Sequence, residues 1–445
     1  MRLELIEKFR KREAYIAIVG LGRVGLPTAA VFADASYQVI GVDVRSDVVQ
    51  AISLTKIRTK EPGLEELLKK VVKLGRLRAS TNTPQAVKQC DVVIVCVQTP
   101  LDSQRKPDLT YLKSACKGIA QALSKGKLVI IESTVPPRTM RNIVLKILEK
   151  ESGLKCGEDF WLAYCPERIT SGKILQKFAT DDRIVGSFDK DSAIVALELL
   201  KTVTSGDLSL TDCESAEVAK LAENTFRDVN IAFANELALI CEQVGVDVKE
   251  AVRLANSHPR VKIHSPGCGV GGPCLTKDPY LLLSSRGCVD VEAEIIEASR
   301  KMNDLMPSHT ARLVLKAIRE AGKDVKNSRI TVLGVAYKGE TDDTTNSPAE
   351  RIIDELIRLG ARVAVYDPFS EEGFGGNKIP VVWEAVKESD VLVVVTDHQM
   401  FSSLDLSKIK KLMKEKPVIV DGRRLINPKD AKRYGFIYYG IGFGI

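Results

Sequence analysis

The chain has 445 residues, of which 44% are hydrophobic, 28% are charged and 5% are aromatic, and its formal net charge is +7. This length fits two or three domains, and the composition is that of a soluble globular protein with ample apolar core. The apolar runs at 92–97 and 391–395 are too short to cross a bilayer, and residues 1–13 are too charged for a secretory signal, so we expect a cytoplasmic protein without a membrane partner. The spread charge and the absence of a stacking motif argue against nucleic-acid binding.

The first predicted elements form a dinucleotide-binding pattern. An apolar strand at 15–19 leads into Gly20-Leu21-Gly22-Arg23-Val24-Gly25, a helix at 26–35 and a strand at 38–42 that ends at Asp43. The first glycine makes the turn, the second admits the pyrophosphate to the helix N-terminus, and the third lets helix and strand pack. Asp43 would accept hydrogen bonds from both ribose hydroxyls and repel a 2′-phosphate, which favours NAD over NADP, although Arg45 could accommodate that phosphate.

Threonines follow two further predicted strands. The strand at 91–97 ends in Gln98-Thr99-Pro100, and the strand at 128–131 ends in Glu132-Ser133-Thr134. Ligands of doubly wound sheets bind at the carboxyl ends of strands, so Thr99 and Thr134 are candidates for cofactor or water contacts. Alternatively, each threonine caps the next helix. A strand at 160–164 brings Cys165-Pro166-Glu167-Arg168 to the same edge.

A long helix is predicted for 215–244, as one helix or two nearly continuous ones, because apolar residues recur there at helical spacing. Lys220, Asn224 and Arg227 share another face of this helix. Such a stripe is usually the solvated side of a helix, so it indicates no function by itself.

A cysteine then follows a glycine-rich turn in Pro266-Gly267-Cys268-Gly269-Val270-Gly271-Gly272-Pro273-Cys274. With a predicted helix at 275–284, Cys274 would lie near a positive helix end and beside Lys277, and both lower a thiol pKa. Cys274 is thus a candidate nucleophile, and the alternative is an inert thiol in a tight surface loop. None of the ten cysteines forms a C-x-x-C pair, so neither a disulfide scaffold nor a metal site is predicted.

The remaining chain predicts helices at 292–302 and 309–321, separated by 303–307, and then a second α/β unit. That unit has strands at 329–335, 362–366 and 389–395 and a helix at 348–359. Its turn, Gly334-x-Ala336-x-x-Gly339, is a poor dinucleotide fingerprint, which favours a nucleotide or nucleotide-sugar over a second NAD. Lys338 and one of Arg423 or Arg424 would meet phosphates. The predicted fold class is α/β, with two Rossmann-like doubly wound domains joined by a helical middle domain with a long central helix.

Five ordered segments resemble the UDP-glucose/GDP-mannose dehydrogenase family over nearly the whole chain. They are Gly20-Leu21-Gly22-Arg23-Val24-Gly25-Leu26-Pro27, Glu132-Ser133-Thr134-Val135-Pro136-Pro137, Cys165-Pro166-Glu167-Arg168, Gly271-Gly272-Pro273-Cys274 with Lys277-Asp278, and Ala336-Tyr337-Lys338 with Thr341-Asp342-Asp343. Within that family, Pro166-Glu167-Arg168-Ile169 and His258-Pro259-Arg260-Val261 are most similar to UDP-N-acetyl-D-mannosamine dehydrogenases. UDP-glucose enzymes usually carry a phenylalanine after the Pro-Glu pair.

The resemblance implies NAD-dependent, four-electron oxidation of a UDP-sugar C6 hydroxyl, here of UDP-N-acetyl-D-mannosamine to UDP-N-acetyl-D-mannosaminuronate. Cys274 would trap the aldehyde as a thiohemiacetal, and oxidation would give a thioester that water cleaves. Lys220 and Asn224 would stabilise the oxyanion, while Asp278, assisted by Thr134 and Glu167, would move protons and orient water.

The resemblance also implies binding residues, three domains and an assembly, with no metal. The cofactor-binding residues are Gly20, Gly22, Arg23, Val24, Gly25, Asp43, Thr99, Thr134 and Lys277. The substrate-binding residues are Arg168, Ile169, Lys220, Asn224, Arg227, His258, Arg260, Gly271, Tyr337, Lys338 and Arg423. The domains are 1–205 for NAD, 206–308 for dimerisation and the cysteine loop, and 309–445 for the UDP-sugar. A homodimer or dimer of dimers is expected, with His258 and Arg260 reaching in from a partner subunit.

Three departures from the family leave alternatives open. Pro273 stands where relatives often have histidine, and Lys277 resembles the UDP-glucose branch. Thr345 replaces an arginine near the dinucleotide, which predicts weaker NAD binding or a substitute cation. The alternatives are a UDP-N-acetylglucosamine or UDP-glucose 6-dehydrogenase, a two-electron hydroxy-acid dehydrogenase in which Cys274 has no role, and a non-catalytic NAD or UDP-sugar sensor.

Overall fold

The computed structural model describes residues 1–57, 59, 61–168, 172–284 and 292–444. The chain divides into two compact units. The N-terminal unit holds Met1–Glu223 and the described part of 280–290, and the C-terminal unit holds Asn224–Pro279 and the described part of 291–445.

The N-terminal unit is built on an eight-stranded sheet. Its strands are β1 (Tyr15–Val19), β2 (Gln38–Val42), β3 (Leu77–Ser80), β4 (Val92–Val95), β5 (Leu128–Ile131), β6 (Trp161–Tyr164), β7 (Arg183–Ser187) and β8 (Leu208–Asp212). They lie in the order β3-β2-β1-β4-β5-β6-β7-β8, and all neighbours are parallel except β6 and β7. The order reverses between β1 and β4, which is where an open sheet of this kind forms a ligand crevice.

Helices cover both faces of this sheet. They are α1 (Arg2–Lys11), α2 (Gly25–Asp34), α3 (Ser46–Ser53), α4 (Leu64–Lys73), α5 (Thr83–Gln89), α6 (Thr110–Ala120), α7 (Lys146–Ser152), α8 (Ile174–Thr180) and α9 (Lys190–Leu200), and a π-helical segment, Met140–Leu145, precedes α7. Ile16 and Ile18 of β1 belong to one apolar cluster, whereas Ala17 and Val19 belong to another. The strands read as continuous apolar runs because both of their faces are buried.

The middle of the chain is helical, with α10 (Cys213–Val244), α11 (Val248–Ala255), α12 (Asp278–Leu283) and α13 (Glu294–Glu320). Helix α10 is one uninterrupted helix, which is the first of the two forms predicted for 215–244. The prediction of a helix from residue 275 was wrong, because Lys277 and Asp278 donate backbone hydrogen bonds to the Cys274 carbonyl in a turn. Pro279 lacks an N–H and is favoured in a first helical turn, so α12 begins next to it.

The prediction of two helices separated at 303–307 was also wrong. Helix α13 continues through Pro307, which is buried. An interior proline costs a helix about 3 kcal/mol, so tertiary packing has to offset that cost. A Cβ placed on Gly269 would lie 3.0 Å from the Pro307 ring, and Met306 and Val314 are fully buried around it. The close packing of the proline ring therefore accounts for a helix that local propensity alone would have ended.

The C-terminal unit contains a six-stranded parallel sheet. Its strands are β9 (Arg329–Leu333), β10 (Arg362–Tyr366), β11 (Asn377–Lys378), β12 (Val391–Val394), β13 (Val418–Asp421) and β14 (Ile437–Gly440). They lie in the order β11-β10-β9-β12-β13-β14. The helices of this half are α14 (Pro348–Arg358), α15 (Val382–Val386), α16 (Gln399–Ser402), α17 (Leu406–Leu412) and α18 (Pro428–Arg433).

The two sheets and the helical middle confirm the predicted α/β class with two Rossmann-like halves. The three domain boundaries stay a prediction. Across the described ranges, no helix has both the length and the apolar character needed to cross a membrane. In the same part of the chain, no group of three or more histidine, cysteine, aspartate or glutamate side chains is arranged to hold a metal ion.

Candidate active site

The glycine-rich turn after β1 has the shape that a dinucleotide requires. Gly20 has a φ of 94°, and a Cβ on it would lie 2.9 Å from the Cys96 carbonyl oxygen. A Cβ on Gly25 would lie 1.8 Å from the Gly20 carbonyl oxygen, whereas a Cβ on Gly22 would meet no atom within 4 Å. The first and third glycines are thus needed for packing, and the second faces open space at the start of α2. These residues fit NAD, whose pyrophosphate needs such an approach.

The acidic residue after β2 is held in place by two backbone hydrogen bonds. The Asp43 carboxylate accepts hydrogen bonds from the backbone N–H groups of Leu21 and Arg45, both at 2.9 Å. Arg45, which could have accommodated a 2′-phosphate, forms an ion pair with Asp47 that raises the pKa of the arginine. Arg23 is exposed and Val24 is half-buried in the turn itself. The arrangement therefore retains the preference for NAD.

The two candidate threonines are in direct contact at the carboxyl edge of the sheet. Thr99 donates a hydrogen bond from its hydroxyl to the Thr134 carbonyl, at 2.6 Å. Ser133 donates in the same way to the Val97 carbonyl, at 2.7 Å. Thr134 itself is half-buried. The loops after β4 and β5 are thereby fastened together where the sequence placed a cofactor contact.

Glu167 and Lys220 form an electrostatic pair in the N-terminal unit. Burial raises the pKa of Glu167 to about 8, and the nearby positive charge of Lys220 lowers that pKa in part. Glu132, buried beside it, adds a repulsive contribution. Lys220 lies on the first turns of α10 and is 7% exposed. A carboxyl group with this pKa can take up or release a proton near neutral pH, which suits it to proton transfer.

The loop that carries Cys274 is fixed by close backbone packing within the C-terminal unit. A Cβ on Gly272, which has a φ of 89°, would lie 2.8 Å from the Tyr337 ring, and one on Gly271 would lie 2.7 Å from the Tyr337 Cβ. The Gly272 N–H donates to the Thr345 carbonyl at 2.8 Å. Cys274, beyond this anchored stretch, is exposed. The loop therefore presents its thiol from a rigid support.

Residues just after the cysteine bind to α10. Asp278 is buried, and one of its carboxylate oxygens accepts a hydrogen bond from Asn224 at 2.6 Å. Its other oxygen lies 3.8 Å from the Lys277 ammonium. Asn224 is thus brought together with Lys277 and Asp278, which follow Cys274 by three and four residues in sequence. Thr345, in place of the family's arginine, donates its hydroxyl to Asp343 at 2.6 Å.

The structure distinguishes between the two arginines proposed for the phosphates. Arg424 is buried and paired with Asp247 at 2.8 Å, an ion pair that raises the arginine pKa against the opposing effect of burial. Arg423 is half-buried, and it donates to the carbonyl groups of Val395 and Tyr337. Lys338 lies 5.8 Å from the centre of the Tyr337 ring. Arg423, Lys338 and Tyr337 therefore form one cluster, while Arg424 serves the fold.

Other predicted substrate residues lie apart along the chain. Arg168 pairs with Glu223 at 2.6 Å in the N-terminal unit. Arg227 lies on α10. Burial lowers the pKa of His264, and the positive charge of Arg227 lowers it further. His258 and Arg260 are exposed in the turn after α11. Ile169 lies outside the described residues.

Sequence reasoning overlooked two asparagines of α10 that hold the start of the cysteine loop. Asn230 accepts from the His264 N–H at 2.8 Å and donates to the Lys262 carbonyl at 2.9 Å. Asn235, fully buried, accepts from the Gly267 N–H at 2.9 Å. A buried asparagine in a helix interior needs partners, so the position of Asn235 among apolar residues was the signal that could have identified it. Asn230 is only half-buried and gave no such signal.

The paired Rossmann-like sheets, with a dinucleotide-shaped turn in the first, define the class as Rossmann-fold dehydrogenases. Family models divide the chain into three consecutive matches. Residues 14–204 match the NAD binding domain of the UDP-glucose/GDP-mannose dehydrogenase family, residues 214–305 its central domain, and residues 331–428 its UDP binding domain.

Individual relatives agree with this assignment. The UDP-N-acetyl-D-mannosamine dehydrogenase of Pyrococcus horikoshii is 42% identical over 429 residues, covering 96% of this chain and 99% of that protein. A solved structure of UDP-D-ManNAc dehydrogenase from Pyrococcus horikoshii has a TM-score of 0.90 at 42% identity and covers 97% of this chain and 99% of that one. The structure of NDP-N-acetyl-D-galactosaminuronic acid dehydrogenase from Methanosarcina mazei Go1 has a TM-score of 0.85 at 36% identity. The match covers 99% of this chain and 98% of that one.

The chain therefore belongs to the UDP-glucose/GDP-mannose dehydrogenase family. It is an NAD-dependent UDP-sugar dehydrogenase, and NAD is its cofactor.

Proposed function

We propose that the protein oxidises the C6 hydroxyl of UDP-N-acetyl-D-mannosamine to the carboxylate of UDP-N-acetyl-D-mannosaminuronate. The observation that carries the choice of sugar is the 42% identity, over almost the full length of both chains, to a UDP-N-acetyl-D-mannosamine dehydrogenase. The exposed Cys274 on its anchored loop supports a four-electron rather than a two-electron oxidation.

NAD, when bound at the glycine turn, accepts a hydride in each of two successive oxidations. In the first, the C6 alcohol loses a hydride and its hydroxyl proton and becomes an aldehyde. Glu167, whose pKa burial raises to about 8, is the candidate base for that proton. The half-buried Thr134 assists from the adjacent strand end.

Cys274 then adds to the aldehyde. Its sulfur forms a bond to C6, and the carbonyl oxygen takes up a proton, which gives a thiohemiacetal. Loss of a second hydride and of the hydroxyl proton produces a thioester. Water attacks the thioester carbon and the C–S bond breaks. One proton of the water returns to the sulfur, which regenerates the thiol, and the sugar leaves as the carboxylate with release of the other proton.

Negative charge on the C6 oxygen needs stabilisation in these steps. Lys220 and Asn224 stand four residues apart on α10 and are both buried, so their donors are partly desolvated. The Asn224 side chain is oriented by its 2.6 Å hydrogen bond to Asp278. Asp278 in turn is the candidate group that orients the hydrolytic water. The UDP moiety would be held by Tyr337, Lys338 and Arg423 in the C-terminal unit, with Arg423 meeting a phosphate.

An assay of NADH formation with matched nucleotide sugars tests the proposal. UDP-N-acetylmannosamine, UDP-N-acetylglucosamine and UDP-glucose are compared under identical conditions, and NADH per sugar consumed is measured at completion. We expect the highest kcat/KM for UDP-N-acetylmannosamine and a ratio of about two NADH per sugar, as two hydride transfers require.

Each other result selects an alternative. A preference for UDP-N-acetylglucosamine or UDP-glucose changes the sugar but keeps the chemistry. A ratio near one, together with an aldehyde product, would overturn the role of Cys274. No turnover with any sugar, despite normal NADH binding, identifies a non-catalytic sensor. The Pro273 and Thr345 replacements are the departures from the family that suggest this alternative.

A homodimer through the helical middle is also proposed. Phe226, Phe233 and Ile240 repeat every seven residues along α10 and are 64%, 53% and 52% exposed. Large apolar side chains in one exposed stripe mark an interaction surface, and the same face on a second copy would cover it.

We expect Phe233→Glu to convert a dimer into a monomer in light scattering. Leu359→Glu, at a position on the C-terminal half that is 39% exposed, should leave the mass unchanged. A wild-type monomer at all concentrations would contradict this.

A further inference from the structure

Glu217 is a buried carboxylate on α10 that the proposed reaction does not use. Its side chain lies in the N-terminal unit and is completely inaccessible to solvent. One carboxylate oxygen accepts a hydrogen bond from the Arg138 N–H at 2.6 Å, and the other accepts from the Met140 N–H at 2.7 Å. Both oxygens are therefore committed to backbone amides of one loop, which is an uncommon arrangement for a fully buried carboxylate.

This loop, residues 132–139 between β5 and the π-helical segment, also carries Thr134 at the candidate NAD site, and we call it the Thr134 loop. Its beginning is fastened by the Thr99–Thr134 and Ser133–Val97 hydrogen bonds. Its end is fastened by Glu217. Arg138 has a φ of 66°, a left-handed conformation that is unfavourable for residues with a Cβ, so the loop needs an external anchor to keep its shape.

The electrostatics of the site also favour an anion at this place. The π-helical segment begins at Met140, and the first N–H groups of a helix lack intrahelical partners and attract negative charge. Burial nevertheless raises the pKa of Glu217 to about 7, against the effect of the backbone hydrogen bonds. The other ionisable groups facing it are Glu214, which raises the pKa further, and Cys213 on the same helix. Arg141 is paired with Glu214.

We propose that Glu217 is a positioning residue, whose ionised carboxylate holds the Thr134 loop in the shape that NAD binding requires. The inference rests on the proposed role of Thr134 in the coenzyme site. A protonated carboxyl keeps one accepting oxygen but turns the other into a donor that faces a backbone N–H. Glutamine carries the same defect permanently, because its amide nitrogen also faces an N–H.

The experiment measures NADH affinity by fluorescence as a function of pH, without any sugar substrate. As pH falls through about 7, Glu217 of the unmodified protein takes up a proton and loses one of its two hydrogen bonds to the loop. NADH binding should therefore weaken roughly tenfold between about pH 8 and about pH 6. Glu217→Gln should bind NADH roughly tenfold more weakly at about pH 8 and show little dependence on pH. Glu214→Gln is the matched control, the same change three residues away at a side chain that pairs with Arg141. It should keep the wild-type affinity at about pH 8 and a pH dependence of the same size, with the midpoint moved to lower pH because the Glu214 charge no longer raises the pKa of Glu217.

Two results would overturn the proposal. One is a Glu217→Gln curve that coincides with that of the wild type. The other is that Glu167→Gln, rather than Glu217→Gln, removes the pH dependence, because Glu167 titrates in the same unit. Since the assay needs no turnover, it is independent of whether the proposed sugar oxidation is correct.

If Glu217→Gln does not fold, hydrogen exchange on the unmodified protein gives the answer. Protection factors of the Arg138 and Met140 amides, corrected for intrinsic exchange, should fall roughly tenfold as pH falls through about 7, while those of the β5 amides stay constant. Constant protection of the Arg138 and Met140 amides across this pH range would contradict the assignment of Glu217 as the anchor.

Discussion

Cys274→Ser is expected to stop uronate formation. A serine hydroxyl is almost entirely protonated near neutral pH, so it cannot replace a thiolate in adding to the aldehyde, and we expect kcat to fall by at least about 10³-fold. The first oxidation does not involve the sulfur. Single-turnover experiments should therefore give about one NADH per sugar instead of about two, and an aldehyde that carbonyl reagents can trap.

Cys156→Ser is the matched control for this experiment. Cys156 is half-buried in the N-terminal unit, and burial raises the pKa of its thiol to about 12, so it is not a nucleophile. We expect its replacement to change turnover by less than about threefold. If Cys274→Ser still formed the carboxylate with two NADH, the thioester route would be wrong and aldehyde hydration would have to replace it.

Lys220→Met is expected to give the second largest effect. Methionine retains most of the apolar length of lysine but removes the ammonium group, and loss of one buried oxyanion donor typically lowers kcat by about 10²–10³-fold. NADH affinity should stay close to that of the wild type, because Lys220 is proposed to act on the sugar oxygen. The charge of Lys220 also lowers the pKa of Glu167, so its removal should raise that pKa above about 8 and shift the pH profile to higher pH.

An exposed lysine provides the comparison. Lys201 is paired with Glu198 on the surface, and its side chain is 54% exposed, so Lys201→Met should leave both kcat and the pH profile unchanged. Equal losses in both variants would point to a general effect of charge. A Lys220→Met enzyme with normal kcat would remove Lys220 from the reaction.

Much of the fold could be predicted from local pattern because parallel strands buried on both faces leave a clear signature. The predicted strands at 15–19, 38–42, 128–131 and 362–366 coincide with β1, β2, β5 and β10. The glycine turn could be predicted equally well, because the spacing of its glycines reflects contacts within a single strand–turn–helix segment. These features depend on residues that are close together in the chain.

Features that depend on distant partners could not be predicted in this way. Helix α13 passes through Pro307 because a glycine far away in sequence admits its ring. The two neighbouring arginines near the end of the chain were indistinguishable in sequence, and only the contact with Asp247 assigns Arg424 to the fold. In the sequence, nothing distinguishes Glu217 from other carboxylates of a helix. Its role depends on contacts with the loop after β5, which only the tertiary structure shows.

The amino-acid sequence by itself determined the family, the cofactor and the identity of the candidate nucleophile, because these are written in short motifs whose chemistry is local. The tertiary structure decided which polar side chains are buried, what they bind and how the Cys274 and Thr134 loops are held. Burial and hydrogen bonding join residues that are far apart in the chain, 79 positions for the 2.6 Å contact from Arg138 to Glu217 and 177 positions for that from Arg424 to Asp247. Proximity of that kind arises only when hydrophobic cores on both faces of a sheet bring distant segments together.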